Sequence, residues 1–93
     1  MAFPQSFLDE LIARSDIVDV IGSYVQLQRK GANLFGLCPF HSEKTPSFYV
    51  YPDTQSFYCF GCQAAGDAIS FVRKINSIDY PEAVKLLAVR AFR

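Results

Sequence analysis

Cys38-Pro39-Phe40-His41 and Cys59-Phe60-Gly61-Cys62 contain every cysteine and the only histidine of this chain, with 17 residues between the two segments. A Cys-x-x-His or Cys-x-x-Cys turn is tight enough for both side chains to reach one ion. Two such turns from separate parts of a chain complete a tetrahedron, with Zn–S near 2.3 Å and Zn–N at about 2.0–2.1 Å. Cys38, His41, Cys59 and Cys62 are therefore read as the four ligands of one structural zinc ion. Protein atoms fill all four positions, so no place remains for a catalytic water. Three thiolates and a neutral imidazole leave a formal charge of about −1, which backbone N–H donors around the sulfurs are expected to offset. Gly61 suits such a turn because it lets the backbone pass close to the ligands. Three cysteines are an odd number, which excludes a complete set of internal disulfides. A redox pair at Cys59 and Cys62 would leave Cys38 and His41 unexplained.

The elements that position these ligands must fit within 93 residues, a length that suggests one domain, residues 1–93. A core of that size is barely sufficient, and a metal clip is a common supplement. An apolar fraction of 51% indicates a globular chain. No run approaches the ~20 apolar residues needed to span a bilayer, and the N-terminus shows no basic-then-apolar leader pattern. Reduced, metal-binding cysteines without a leader favour the cytoplasm, with no membrane partner. The formal net charge is zero, whereas many nucleic-acid binders are strongly basic. Any phosphate binding must therefore be local.

Ser6 followed by Asp9 reads as a capping-box helix start, with Phe7, Leu8, Leu11 and Ile12 on one face. Ser15 or Asp16 caps a short second helix, Ile17 to Ile21, ended by Gly22. Tyr24 to Arg29 alternates as a half-buried strand. Lys30 to Asn33 is a turn, and Leu34 to Leu37 is a second strand running into the first ligand pair. Ser47 to Tyr51 and Ser56 to Phe60 are two further strands around the Pro52–Gln55 turn, the latter ending in the second ligand pair. Gly66-Asp67 opens a helix with Ala68, Ile69, Val72 and Ile75 inside. Pro81 starts a last helix whose buried side is Ala83, Val84, Leu87 and Val89. The expected fold is a small α+β zinc domain: a zinc ribbon with a small antiparallel sheet and flanking helices.

With the ligand pairs placed, the residues around them become diagnostic. Cys38-Pro39-Phe40-His41-Ser42-Glu43-Lys44-Thr45-Pro46-Ser47-Phe48, Tyr58-Cys59-Phe60-Gly61-Cys62 and Gly66-Asp67-Ala68-Ile69-Ser70-Phe71 resemble the N-terminal zinc-binding domain of bacterial DnaG-type replicative primases. Phe7 to Leu11, Asp16 to Ile21, Gly31 to Leu37 and Pro81 to Val84 are similar to that family as well. The resemblance implies one module of a longer chain that makes RNA primers on single-stranded DNA during replication. It implies as partners the template strand, a separate polymerase domain with magnesium-binding acidic residues, and the replicative helicase reached through the full-length protein. This chain shows no acidic cluster suited to magnesium and no phosphate-cradling glycine loop, so the fragment alone is expected to have no catalytic residues and no nucleotide cofactor. A monomer is expected. At Ala32 the family commonly carries a basic residue, which leaves more of the backbone contact to Arg29 and Lys30.

The candidate DNA contacts are Arg29, Lys30, Asn33, Lys44, Thr45, Tyr49 and Tyr58. Charge would track phosphates, while exposed rings would stack on unpaired bases. Alternation places Phe48 and Val50 on one face of their strand and Tyr49 and Tyr51 on the other. Phe48 and Phe57 are assigned to the core, and Phe40 and Phe60 to shielding the metal. The competing reading is a stand-alone zinc ribbon that mediates a protein–protein contact, which the zero net charge and apolar content favour. Binding of single-stranded DNA, or a polymerase domain continuing the chain beyond Arg93, would separate the two.

Overall fold

The computed structural model of the protein describes residues 3–41 and 45–92. The chain runs α1 (Gln5–Arg14), α2 (Ile17–Gly22), β1 (Gln28–Lys30), β2 (Asn33–Gly36), β3 (Phe48–Tyr51), β4 (Ser56–Cys59), β5 (Ala65–Gly66), α3 (Ala68–Asn76) and α4 (Tyr80–Ala91). The five strands form one antiparallel meander in sequence order. No helix among the described residues is long and apolar enough to cross a membrane.

Local chemistry sets most element ends. Asp16, Asp67 and Asp79 each accept a hydrogen bond from a backbone N–H three residues on, capping α2, α3 and α4. The capping box expected at Ser6 does not form. Pro4 occupies the cap position, and its carbonyl takes the N–H groups of Phe7 and Leu8 at 3.1 Å each. Ser6 is thereby drawn inside the helix, and Asp9 accepts from the Gln5 side chain instead. The first strand is shorter than its alternation suggests. The N–H groups of Tyr24 and Val25 still bond back to Ile21 at 2.9 Å, so the chain is free to pair only from Gln28. Gly31, at φ 64, makes the two-residue hairpin from Lys30 to Asn33.

Register decides which side chains meet. Leu34, Val50, Phe57 and Gly66 are successive cross-strand partners, as are Gly36, Phe48 and Cys59. This face is buried under the helices. Phe48, Phe57 and Phe71 are essentially inaccessible and form one aromatic cluster, with ring centroids 5.5–6.1 Å apart. Such ring pairs add about 0.5–1.5 kcal/mol each beyond their burial. Leu11, Ile17, Val20, Ile21, Ala83, Val84 and Leu87 complete the core from α1, α2 and α4. Val89 does not belong to it and is 69% exposed. At 100° per residue the face set by Ala83, Val84 and Leu87 continues through Ala88 and Ala91, and Val89 turns away from it.

Two features are not apparent in the sequence. β5 is a two-residue strand that pairs with β4 through Phe57↔Gly66 and Tyr58↔Ala65. Gln55, at φ 53 in the β3–β4 turn, accepts the Ile17 N–H at 2.8 Å and donates to Asp16 and to the Pro52 carbonyl. One side chain thus ties the start of α2 to the far end of the sheet.

Candidate metal centre and nucleic-acid interface

The two knuckles converge at one end of β2 and β4. One ligand atom from each of Cys38, His41, Cys59 and Cys62 falls within 4.8 Å of the others. The Cys38 and Cys62 sulfurs are 3.7 Å apart, close to the ~3.8 Å edge of a tetrahedron with 2.3 Å Zn–S bonds. Cys38 and Cys59 are buried, His41 is half-buried and Cys62 is exposed. The backbone donors expected around the sulfurs are present. Phe40 N–H points to the Cys38 sulfur and Gly61 N–H to the Cys59 sulfur, each at 3.4 Å. The Ser47 hydroxyl lies 3.5 Å from the Cys59 sulfur. Three soft ligands and an imidazole at these separations, with N–H groups turned toward sulfur, fit zinc and leave no open position.

The sulfurs differ in their environment. Burial pushes the Cys38 thiol up to about 12, against a lowering contribution from the Phe40 N–H. Burial acts in the same direction on Cys59, but hydrogen bonds from Cys62 N–H, the Ser47 hydroxyl and Gly61 N–H outweigh it and bring that thiol down to about 7. Gly61 is confined sterically as well. A Cβ there would lie 2.9 Å from His41 Nε2 and 3.0 Å from both His41 Cε1 and Ser47 Oγ.

The other face of the sheet is a second feature. Gln28, Phe35, Tyr49, Tyr58 and Ala65 are successive cross-strand partners and form a row across all five strands. Lys30 and Asn33 pair beside this row, and the Lys30 ammonium sits 5.8 Å from both the Phe35 and Tyr49 ring centroids. Tyr49 and Tyr58 lie on this face as expected, while Phe48 and Phe57 are in the core. Phe60 departs from its expected role of shielding the metal. It is 63% exposed, and its ring packs edge-on against Tyr49 and Tyr58 at 5.5 and 4.8 Å. The bond from Phe60 N–H to the Ser47 carbonyl, at 2.9 Å, turns the ring outward. A hollow of about 420 Å³ opens here, lined by Asn33, Pro46, Ser47, Tyr49, Tyr51 and Phe60.

Not every candidate contact reaches this surface. Arg29 pairs with Leu34, whose side chain points to the core, so alternation puts Arg29 on the opposite face from Lys30. Thr45 is exposed next to Pro46 on the loop below the hollow. Lys44 lies outside the described residues. Phe35, Tyr51 and Phe60 join Tyr49 and Tyr58 on the open face. Alternation outward from buried Leu34 would have found Phe35.

The zero net charge conceals segregation. None of the residues of the cross-strand row is acidic, whereas Asp9, Glu10, Asp16 and Asp19 sit on α1 and α2 or at their ends. Among the described residues Arg14 pairs with Glu10 and Lys85 with Glu82, while Lys30 carries no ion pair.

Two knuckles closed on one Cys-His-Cys-Cys group, joined by an antiparallel sheet and backed by helices, define a structural zinc ribbon. The particular type emerges from comparison with known sequences. The DnaG-type zinc ribbon profile, described as the CHC2 zinc finger, matches residues 3–92, and the chain belongs to that family. It is 58% identical over 85 residues to a DNA primase of Pseudomonas putida, covering 91% of this chain and 13% of that protein. It is 54% identical over 88 residues to a DNA primase of Geobacillus stearothermophilus, covering 95% of this chain and 15% of that protein. The crystal structure of the Aquifex aeolicus primase, comprising zinc-binding and RNA polymerase domains, superposes with a TM-score of 0.88 at 50% identity, over 92% of this chain and 21% of that one. The chain therefore spans about one-seventh of the length of these curated relatives.

Proposed function

We propose that residues 1–93 are the template-recognition module of a bacterial-type DNA primase, a part of a longer chain that binds single-stranded DNA and helps begin RNA primers in the cytoplasm. Cys38, His41, Cys59 and Cys62 hold one zinc ion, which joins the knuckles and takes no part in bond making. The observation that carries the DNA reading is the open sheet face. Its aromatic row is free of acidic groups and bears a lysine poised over two rings. Stacking on such rings contributes about 1–3 kcal/mol per base and accepts any base, while cations track the phosphates. Asn33 and Ser47, in the hollow beside Tyr49, are placed to meet base edges, and Thr45 borders it.

Nucleotide joining belongs to a polymerase domain such as the one in the Aquifex aeolicus primase, and contact with a replicative helicase belongs to the full-length protein. The module alone works as a monomer and binds weakly, at micromolar affinity or poorer, gaining occupancy from linkage to that domain.

The test is a chemical-shift titration of the zinc-loaded chain with a short single-stranded oligonucleotide at low salt. Shifts should centre on Lys30, Phe35, Tyr49, Tyr58 and Phe60. Shifts restricted to α1, α2 and α4, with this face unmoved, would refute the reading and favour a protein-contact role.

A further inference from the structure

The cross-strand row has two ends, and both carry positive charge. At the β1 end is Lys30. At the other end, beyond Ala65 of β5, a groove of about 420 Å³ is lined by Ala65, Ser70, Arg73, Lys74, Ser77 and Ile78. Arg73 and Lys74 are exposed and, among the described residues, neither is ion-paired. The Lys74 ammonium reaches back over the Phe40 ring, 5.5 Å from its centroid, beside the first knuckle. Periodicity along α3 accounts for both residues as a solvated helix face. It gives no reason for their lining one groove with Ala65, the last residue of the row, which the β4–β5 pairing brings about. The Lys74 ammonium lies on the helix side of that groove, over a ring that packs on Phe48, Phe57 and Phe71.

We infer that single-stranded DNA crosses the sheet perpendicular to its strands, from Lys30 over Phe35, Tyr49 and Tyr58, and that Arg73 and Lys74 of α3 anchor its phosphates beyond β5. This inference rests on the DNA-binding reading of the open face. The alternative course, along the strands, meets as many rings, Phe60, Tyr49 and Tyr51. It runs, however, from the anionic metal knuckles to the Pro52–Gln55 turn and its Asp53, with no cation in that turn. The perpendicular course meets one aromatic side chain on each of β2, β3 and β4, and it ends at cations on both sides. Five strands at about 4.8 Å spacing give a row of roughly 19 Å, enough for no more than about six nucleotides at a rise of 3.4 Å. Two acidic residues, Asp67 and Asp79, flank the groove in sequence. Asp79 directly follows Ile78, and its carboxylate accepts the Glu82 N–H at 3.1 Å as the cap of α4. The Asp67 carboxylate accepts the Ser70 N–H at 2.9 Å as the cap of α3.

The experiment measures binding of oligothymidylates of about four and about eight nucleotides, shorter and longer than the row, by fluorescence anisotropy over a range of salt. It compares the zinc-loaded chain with its Lys30→Gln and Arg73→Gln/Lys74→Gln variants, each checked for folding by circular dichroism. The double variant should lose affinity for the longer oligonucleotide by about tenfold at low salt, and its salt slope should fall by about 1.4, or 0.7 for each lost phosphate contact. The shorter oligonucleotide, held by the rings and Lys30, should lose much less. If Lys30→Gln weakens binding while the double variant keeps the parent's affinity and slope, the crossing path is wrong and the DNA-binding reading stands. If the unaltered chain binds neither oligonucleotide, both fail.

Discussion

Gly61→Ala isolates the geometry of the metal knuckle. The added methyl would sit 2.9 Å from His41 Nε2 and 3.0 Å from His41 Cε1 and Ser47 Oγ. Each contact is about 0.5 Å inside ordinary van der Waals separation. The imidazole cannot simply rotate away, because metal–ligand distances tolerate only about ±0.2 Å. Either His41 is displaced from its best position or the Cys59–Cys62 turn strains, losing the N–H that Gly61 directs at the Cys59 sulfur. A disturbed outer contact of this kind weakens metal binding by about 10–100-fold, or roughly 1.4–2.8 kcal/mol. Zinc affinity is read by competition with a chromophoric chelator. The cobalt-substituted protein gives a second reading, since its visible bands report tetrahedral coordination. Gly22→Ala is the control: a Cβ there meets nothing within 4 Å. It should leave zinc affinity unchanged and, by restricting the unfolded chain, raise stability by about 0.4–1 kcal/mol. A Gly61→Ala protein with zinc affinity within about twofold of the parent and an unaltered cobalt spectrum would refute the argument.

Two other outcomes rest on single side chains. Gln55→Ala removes the acceptor for the Ile17 N–H and two donated bonds, so unfolding stability should drop by about 1–3 kcal/mol, measured by denaturant titration. The proton count on zinc binding should depend on pH. Because the Cys59 thiol is lowered to about 7, it is already a thiolate above that pH and releases nothing. Below about 7 it is protonated and must give up its proton, so calorimetry in buffers of different ionisation enthalpy should show release rising by nearly one proton as pH falls through 7. Cys38, raised to about 12, should release its proton across the whole range. Absence of the step near 7 would show that the hydrogen bonds to Cys59 are not in place before the metal arrives.

The metal site is legible in the sequence because its information is local: two spacings and four ligand types specify it with little help from the rest of the fold. The same holds for the Asp67 cap and for the alternation that separates Phe48 and Val50 from Tyr49 and Tyr51. What cannot be read depends on partners distant in the chain. Ala65-Gly66 has no strand pattern of its own and pairs only because β4 offers it a free edge. Gly66 fits there at φ 152, where a Cβ would lie 2.5 Å from that of Ser70. Gln55 looks like an ordinary turn residue until α2 is brought against it, 38 positions away. Phe60 reads as inward-facing because it lies between two ligands, but the backbone bond to Ser47 decides its direction. Arg29 and Lys30 are adjacent in sequence and basic alike, yet the pleat sends them to opposite faces.

The register of the sheet gives the zinc ion a role besides holding the knuckles. In β4, Cys59 points to the core and Tyr58 to the open face, so a slip of one residue against β3 would exchange them. That misaligned sheet would bury a tyrosine hydroxyl and carry the Cys59 sulfur away from Cys38 and His41. Four ligands can then no longer surround one ion. Metal capture therefore discriminates between alignments: the sheet that binds zinc is the sheet whose aromatic row is complete, and a chain folded out of register is left metal-free and exposed to refolding or degradation.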